Sequence, residues 1–134
     1  MATYSQLKVF KETYDLLMLI YQATSNVNRE YRYTLVEKIK NDVTELCIII
    51  YRANLAKDHK IREINTAREM LVRVNIQCRM LGDMRQISTK LQAQITLHTQ
   101  AIYEQLEAWY KYNQTKDDRT DDGDNGSVQS SQEK

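Results

Sequence analysis

Proline is absent from this 134-residue chain, and of its three glycines only Gly82 precedes residue 117. With nothing to break a helix except at its ends, the first 116 residues read as an all-α domain. Long apolar runs are lacking too. Leu16 to Tyr21 and Leu46 to Tyr51 fall far short of the roughly 20 residues needed to span a bilayer, so no membrane segment is expected. Lys8, Lys11 and Glu12 interrupt the N-terminal region, which does not read as a secretory signal, and cytoplasm is the expected location.

Cysteine is scarce, with Cys47 inside an LCIII run and Cys78 at a core-spaced position between Val74 and Leu81. Neither has the neighbouring His, Cys or base that would activate a thiolate or hold zinc, so both read as small buried hydrophobes. Catalytic patterns are equally thin. A di-iron bundle needs Glu three residues before His, yet Ile95 precedes His98 and Ala56 precedes His59 at that spacing. His98 reads as an internal polar group and His59 as a loop residue. No Gly-rich phosphate loop, nucleophile elbow or Cys pair at metal spacing occurs, so no metal, no cofactor and no enzymatic activity are expected.

What the chain does have is amphipathic periodicity. Leu7, Phe10, Tyr14, Leu17 and Tyr21 predict a first helix over about 5–24, and Leu35, Ile39, Val43, Leu46, Ile50 and Ala53 a second ending near Ala56. Ile61, Ile64, Leu71, Val74, Cys78 and Leu81 predict a third with Asp58 as its cap. Leu91, Ile95, His98, Ile102, Leu106 and Trp109 predict a fourth beginning after Ser88 or Thr89. Short connections force antiparallel neighbours, and the expected fold is an up-down four-helix bundle.

Charge divides the chain. Residues 1–116 carry 17 Lys and Arg against 12 Asp and Glu, while residues 117–134 carry two against six. A basic four-helix body over 1–116 is therefore expected to carry a disordered acidic tail over 117–134.

Two features exceed what a monomeric bundle needs. On the third helix Val72, Ile76 and Met80 recur every four residues, away from the core stripe, and the second helix repeats the pattern with Ile48, Tyr51 and Leu55. Paired second stripes point to a homo-oligomeric interface. Beside them, Arg62 and Arg73 are separated by 11 residues, as are Arg68 and Arg79, close to three helical turns. The preference for Arg over Lys on this helix favours oxyanion contacts.

Between the first two helices lies Arg29, Glu30, Tyr31, Arg32, Tyr33, Thr34 and Leu35. Thr34 and Glu37 predict a capping box. Arg29 and Arg32 are suited to meet a phosphate or carboxylate, while Tyr31 and Tyr33 either stack on a base or seal the bundle end.

Four segments carry a family likeness: YDLL at Tyr14 to Leu17, REYRYTL at Arg29 to Leu35, IYRAN at Ile50 to Asn54 and LGDMRQIS at Leu81 to Ser88. In this combination and order the chain resembles the four-helix-bundle family that includes the accessory variability determinants of diversity-generating retroelements and the proteins encoded in intervening sequences of bacterial 23S ribosomal RNA genes. It departs from that pattern at Val36 and Leu55, in its Gln-rich fourth helix and in the acidic tail. The resemblance implies a pentameric barrel of bundles that binds the retroelement reverse transcriptase and its template RNA and supports mutagenic reverse transcription. The intervening-sequence relatives imply the alternative, a self-assembling bundle with a protein-interaction or structural role only.

Overall fold

The computed structural model describes residues 7–123, with side chains through 116. The described residues form four long helices and one single-turn helix: α1 (Lys8–Ala23), α2 (Arg29–Arg32), α3 (Leu35–Leu55), α4 (Lys60–Asp83) and α5 (Thr89–Gly123). No strand occurs among the described residues. Packing runs α1 to α3, α3 to α4, α4 to α5 and α5 back to α1, and among the described residues the backbones of diagonal helices nowhere come close, so the long helices form a four-cornered bundle.

Each long helix buries one stripe. On α3 these residues are Val36, Ile39, Val43, Leu46, Ile50 and Ala53, and on α4 they are Ile64, Ala67, Leu71, Val74, Cys78 and Leu81. Ile95, Ile102 and Leu106 complete the core from α5. The spacing of three and four residues fills the interior as expected, except that Leu35 and Ile61 are only partly buried while Val36 and Ala67 take interior positions.

The first helix corrects the expected register. Its buried face is Val9, Thr13, Leu16, Ile20 and Ala23, whereas Tyr14 and Tyr21 stand about half exposed, at 50% and 51%. Leu7, Phe10 and Leu17 pack at the core's margin. Thr13 occupies an interior position without cost to its hydroxyl, which donates to the Val9 carbonyl at 2.8 Å, while the tyrosines keep their polar tips in water.

Helix ends follow local chemistry, and two expected caps are absent. The Thr34 hydroxyl turns back to donate to the Glu30 carbonyl at 2.8 Å and makes no cap bond to α3. Asp58 does not cap α4, whose N-cap position is His59, also without a side-chain bond. Ser88 does cap α5, its hydroxyl accepting from the Leu91 N–H at 3.1 Å. At the other end of α3, the Lys60 ammonium donates to the Ala53 and Asn54 carbonyls at 2.8 and 3.1 Å, closing off the helix's free acceptors. Desolvation lowers the Lys60 pKa, with Lys116 adding repulsion.

The α4 terminus is a complete Schellman turn. Gln86 N–H donates to the Leu81 carbonyl and Arg85 N–H to the Gly82 carbonyl, both at 2.9 Å. The residue in the left-handed conformation is Arg85, at φ 58°, where glycine is the usual occupant. That choice costs a side-chain-bearing residue roughly 1 kcal/mol. Gly82 lies one turn earlier, where a Cβ would meet the end of the Gln92 side chain, Oε1 at 2.6 Å.

The α5 backbone continues past the expected boundary at Lys116 to Gly123; the rest of the acidic segment, 124–134, lies outside the described residues. No helix among the described residues is long and apolar enough to cross a membrane.

The caps give a paired test. Ser88→Ala is expected to lower unfolding free energy by about 1 kcal/mol. Thr34→Ala should change it by less than about 0.5 kcal/mol. Urea denaturation followed by circular dichroism measures both.

Candidate nucleic-acid interface and apolar faces

The turn before α3 and the turn after α4 meet at one end of the bundle. Asn28 N–H donates to Gln86 Oε1 at 3.0 Å, and the Gln86 amide donates to the Met84 carbonyl at 3.1 Å, tying residues 24–34 to 84–88. Val27 and Ile87, both buried, plug this end from the two turns.

Within this frame the six sequence-predicted arginines separate. Arg29 is exposed and makes no ion pair among the described residues. Arg32 is half-buried: its Nη2 donates to the Val27 carbonyl at 3.1 Å, and its Nε is buried without an acceptor. Arg32 therefore holds the turn together and does not face outward beside Arg29. Tyr31 packs partly against the core, and its phenol pKa is raised by a hydrogen bond to Glu30. Tyr33 is 64% exposed, so of the two tyrosines one seals the end and one stays in solvent.

On α4 the paired spacing of arginines does not yield two free rails. Arg68 is engaged with α5, its Nε and Nη2 each 2.8 Å from Glu107 Oε2 and its guanidinium 4.1 Å above the Tyr110 ring. A third contact runs from Nη1 to Asn65 Oδ1 at 3.0 Å. Arg68 is thus a packing residue between two helices, a role that spacing along α4 cannot reveal because Glu107 lies 39 residues away. Arg79 is exposed and only loosely opposed by Asp83 at 3.8 Å. Arg62 and Arg73 are exposed with no ion pair among the described residues. The helix begins with Lys60, and Arg85 lies in the turn beyond it.

The second apolar stripes are on the surface. Val72 and Ile76 are 56% and 57% exposed, Met80 44%, Ile48 43%, Tyr51 40% and Leu55 52%. They do not form one patch. Ile48 and Tyr51 line a groove of about 440 Å³ between α1 and α3, together with Phe10, Tyr14, Leu17 and Cys47. Ile76 instead borders a shallow cleft toward α5 with Asn75, Arg79, Gln92 and Thr96. Because α1·α3 and α4·α5 are opposite sides of the bundle, the groove walled by Ile48 and Tyr51 and the cleft beside Ile76 lie on opposite sides. Tyr14, Met18 and Tyr21 extend the groove face along α1, a contribution hidden by assigning Tyr14 and Tyr21 to the core.

Both cysteines are buried and unpaired. Burial pushes the Cys47 thiol up to about 11 and the Cys78 thiol up to about 12. Half-buried His98 meets Glu12 across α5 and α1, Nδ1 to Oε2 2.8 Å, as an internal polar contact. Among the described residues no group of three or more His, Cys, Asp or Glu could hold a metal ion. No protein-family model and no curated protein matches the chain.

Two measurements follow. Arg68→Ala should lower unfolding free energy by about 1–2 kcal/mol, since it strands a half-buried carboxylate and removes a cation–π contact. Arg73→Ala should leave stability within about 0.5 kcal/mol. For the thiols, burial keeps both Cys47 and Cys78 protonated well above neutral pH in the folded protein. Ellman's reagent should therefore react slowly with the native chain, faster as pH rises toward 11, and rapidly once urea unfolds it.

Proposed function

We propose that the chain is a non-catalytic accessory protein of the diversity-generating retroelement kind, assembling with itself and holding the reverse transcriptase and template RNA together for mutagenic copying. The surface of α4 carries the reading: Val72, Ile76 and Met80 lie exposed in a line, with Arg62 and Arg73 unpaired on the same helix. Neither group serves the bundle's own core. Support also comes from the basic body and from the resemblance in REYRYTL and LGDMRQIS. RNA contact would be electrostatic and weakly sequence-specific, because the chain has charge and no base-reading helix signature. Arg29, Arg62, Arg73 and Arg79 are the residues assigned to it; Arg32 and Arg68 serve the fold.

Apolar faces on opposite sides of one subunit suit head-to-tail contact, in which the groove of α1 and α3 receives the α4 stripe of the next copy. Repeated around a closed rotation, this gives a ring, a pentamer by the resemblance.

Subunit exchange provides the test. Ile48→Glu and Ile76→Glu each place a charge in a desolvated seam and should each sediment near the 15.8 kDa monomer, while the parent sediments as a larger species. Mixed together, each variant retains the face the other lacks, and the mixture should form a dimer. A parent that is monomeric at micromolar concentration would remove the oligomeric half of the reading. Template RNA that fails to bind the parent at low salt would leave the intervening-sequence type of protein-only assembly.

A further inference from the structure

An arginine in a left-handed turn position is the feature neither the core nor the subunit seam uses. Arg85 closes the Schellman turn after α4, a position that asks for glycine, and its side chain is exposed with no ion pair among the described residues. Around it the joined turns carry an excess of positive charge. Residues 24–38 and 79–90 contain Arg29, Arg32, Lys38, Arg79, Arg85 and Lys90 against Glu30, Glu37 and Asp83. Asp83 is loosely opposed by Arg79 at 3.8 Å and Glu30 keeps its charge beside the Tyr31 phenol, so the two segments hold a surplus of three positive charges. The Asn28 to Gln86 hydrogen bond at 3.0 Å brings the residues beside Arg29 and Arg85 into contact. Tyr33, 64% exposed in the same turn, supplies an aromatic face.

Guanidinium groups free of carboxylates, an ammonium and an exposed ring at one bundle end match the chemistry of single-stranded nucleic acid, which offers a row of phosphates and bases for stacking. An acidic peptide would use the cations and leave the ring idle. We propose that Arg85, with Arg29 and Lys90, contacts the phosphates of a single RNA strand at this end, Tyr33 stacking on a base, and that Arg85 keeps its strained backbone because the side chain is needed there. The proposal rests on the RNA-binding reading above and names a site within it.

Arg85→Gly separates backbone from side chain, since glycine relieves the turn while removing the charge. Fluorescein-labelled polyuridine, titrated by anisotropy from about 50 to about 200 mM salt, reports binding. Thermal melting reports the fold. The expected result is an unchanged or higher melting temperature with affinity lowered about fivefold at low salt and a salt slope shallower by about one. Arg85→Lys should recover most of the affinity. Lys57→Ala removes one charge from the opposite end of the bundle and should lower affinity much less. Equal losses in Arg85→Gly and Lys57→Ala would reduce the effect to net charge and overturn the site. Binding by Arg85→Gly that matches the parent would do the same, as would a lowered melting temperature. If the parent itself does not bind polyuridine, the RNA-binding reading falls and takes the site with it, an outcome distinct from a parent that binds and a variant that binds equally.

Discussion

An antiparallel four-helix bundle can bury one stripe of each helix, and every apolar residue beyond that stripe must face water or another molecule. In this chain the interior is filled by Val9, Leu16 and Ile20, by the α3 and α4 stripes and by Ile95, Ile102 and Leu106. Val72, Ile76 and Met80 come after that interior is complete. Leaving three such side chains half exposed in a row forfeits apolar burial on the order of 25 cal/mol per Å². A single exposed residue of this kind needs no explanation, whereas a line along α4 and a groove walled by Phe10, Tyr14, Ile48 and Tyr51 set the surface apart from that of an isolated bundle.

The same packing decides which charges are available. Arg68 and Arg73 differ by five positions on one helix, yet one faces α5 and meets Glu107 while the other faces solvent. Arg32 and Arg29, three apart, divide in the same way through the Val27 carbonyl. An arginine held by a carboxylate and an aromatic ring contributes to helix registry, and its positive charge is largely cancelled for any polyanion approaching from outside. Counting basic residues thus overstates the surface field, and the groups left over are concentrated where the two turns meet and along the outer side of α4.

Helix number, order and much of the core were legible from periodicity alone, although polar residues also enter the interior of the later helices, Asn54 on α3, Gln77 on α4 and Thr99 on α5, and Leu91, His98 and Trp109 are only partly buried. The first helix was not. Its interior stripe includes Thr13, whose polarity disguises the face, while Tyr14 and Tyr21 imitate core residues from the flank. The capping box at Thr34 failed for a related reason: a threonine hydroxyl has several carbonyls in reach, and here the one behind it, on Glu30, wins. For the candidate site, exposure of the second stripes followed from their angle relative to the core, but their separation onto opposite sides depends on which helices are neighbours. The engagement of Arg68 depends on a residue 39 positions away, and the left-handed Arg85 on a turn that no periodicity describes.

Opposed apolar faces and an end cluster of cations have a joint consequence on the proposed ring. Head-to-tail contacts through the sides of the bundle relate neighbours by rotation about a single axis, so equivalent ends of all subunits lie on the same rim. The turns 24–34 and 84–88 would then recur around that rim, each presenting Arg29, Tyr33, Arg85 and Lys90. One such patch offers few phosphate contacts and would bind weakly at physiological salt, where screening acts within about 8 Å. Several on a rigid rim convert successive contacts along one strand into intramolecular events, and avidity rises by orders of magnitude without a new contact. Modest charge per subunit is therefore compatible with firm capture of a long RNA, and assembly through Val72, Ile76 and Met80 becomes a condition of that capture: a monomer with every arginine intact would bind RNA only as well as a single patch allows.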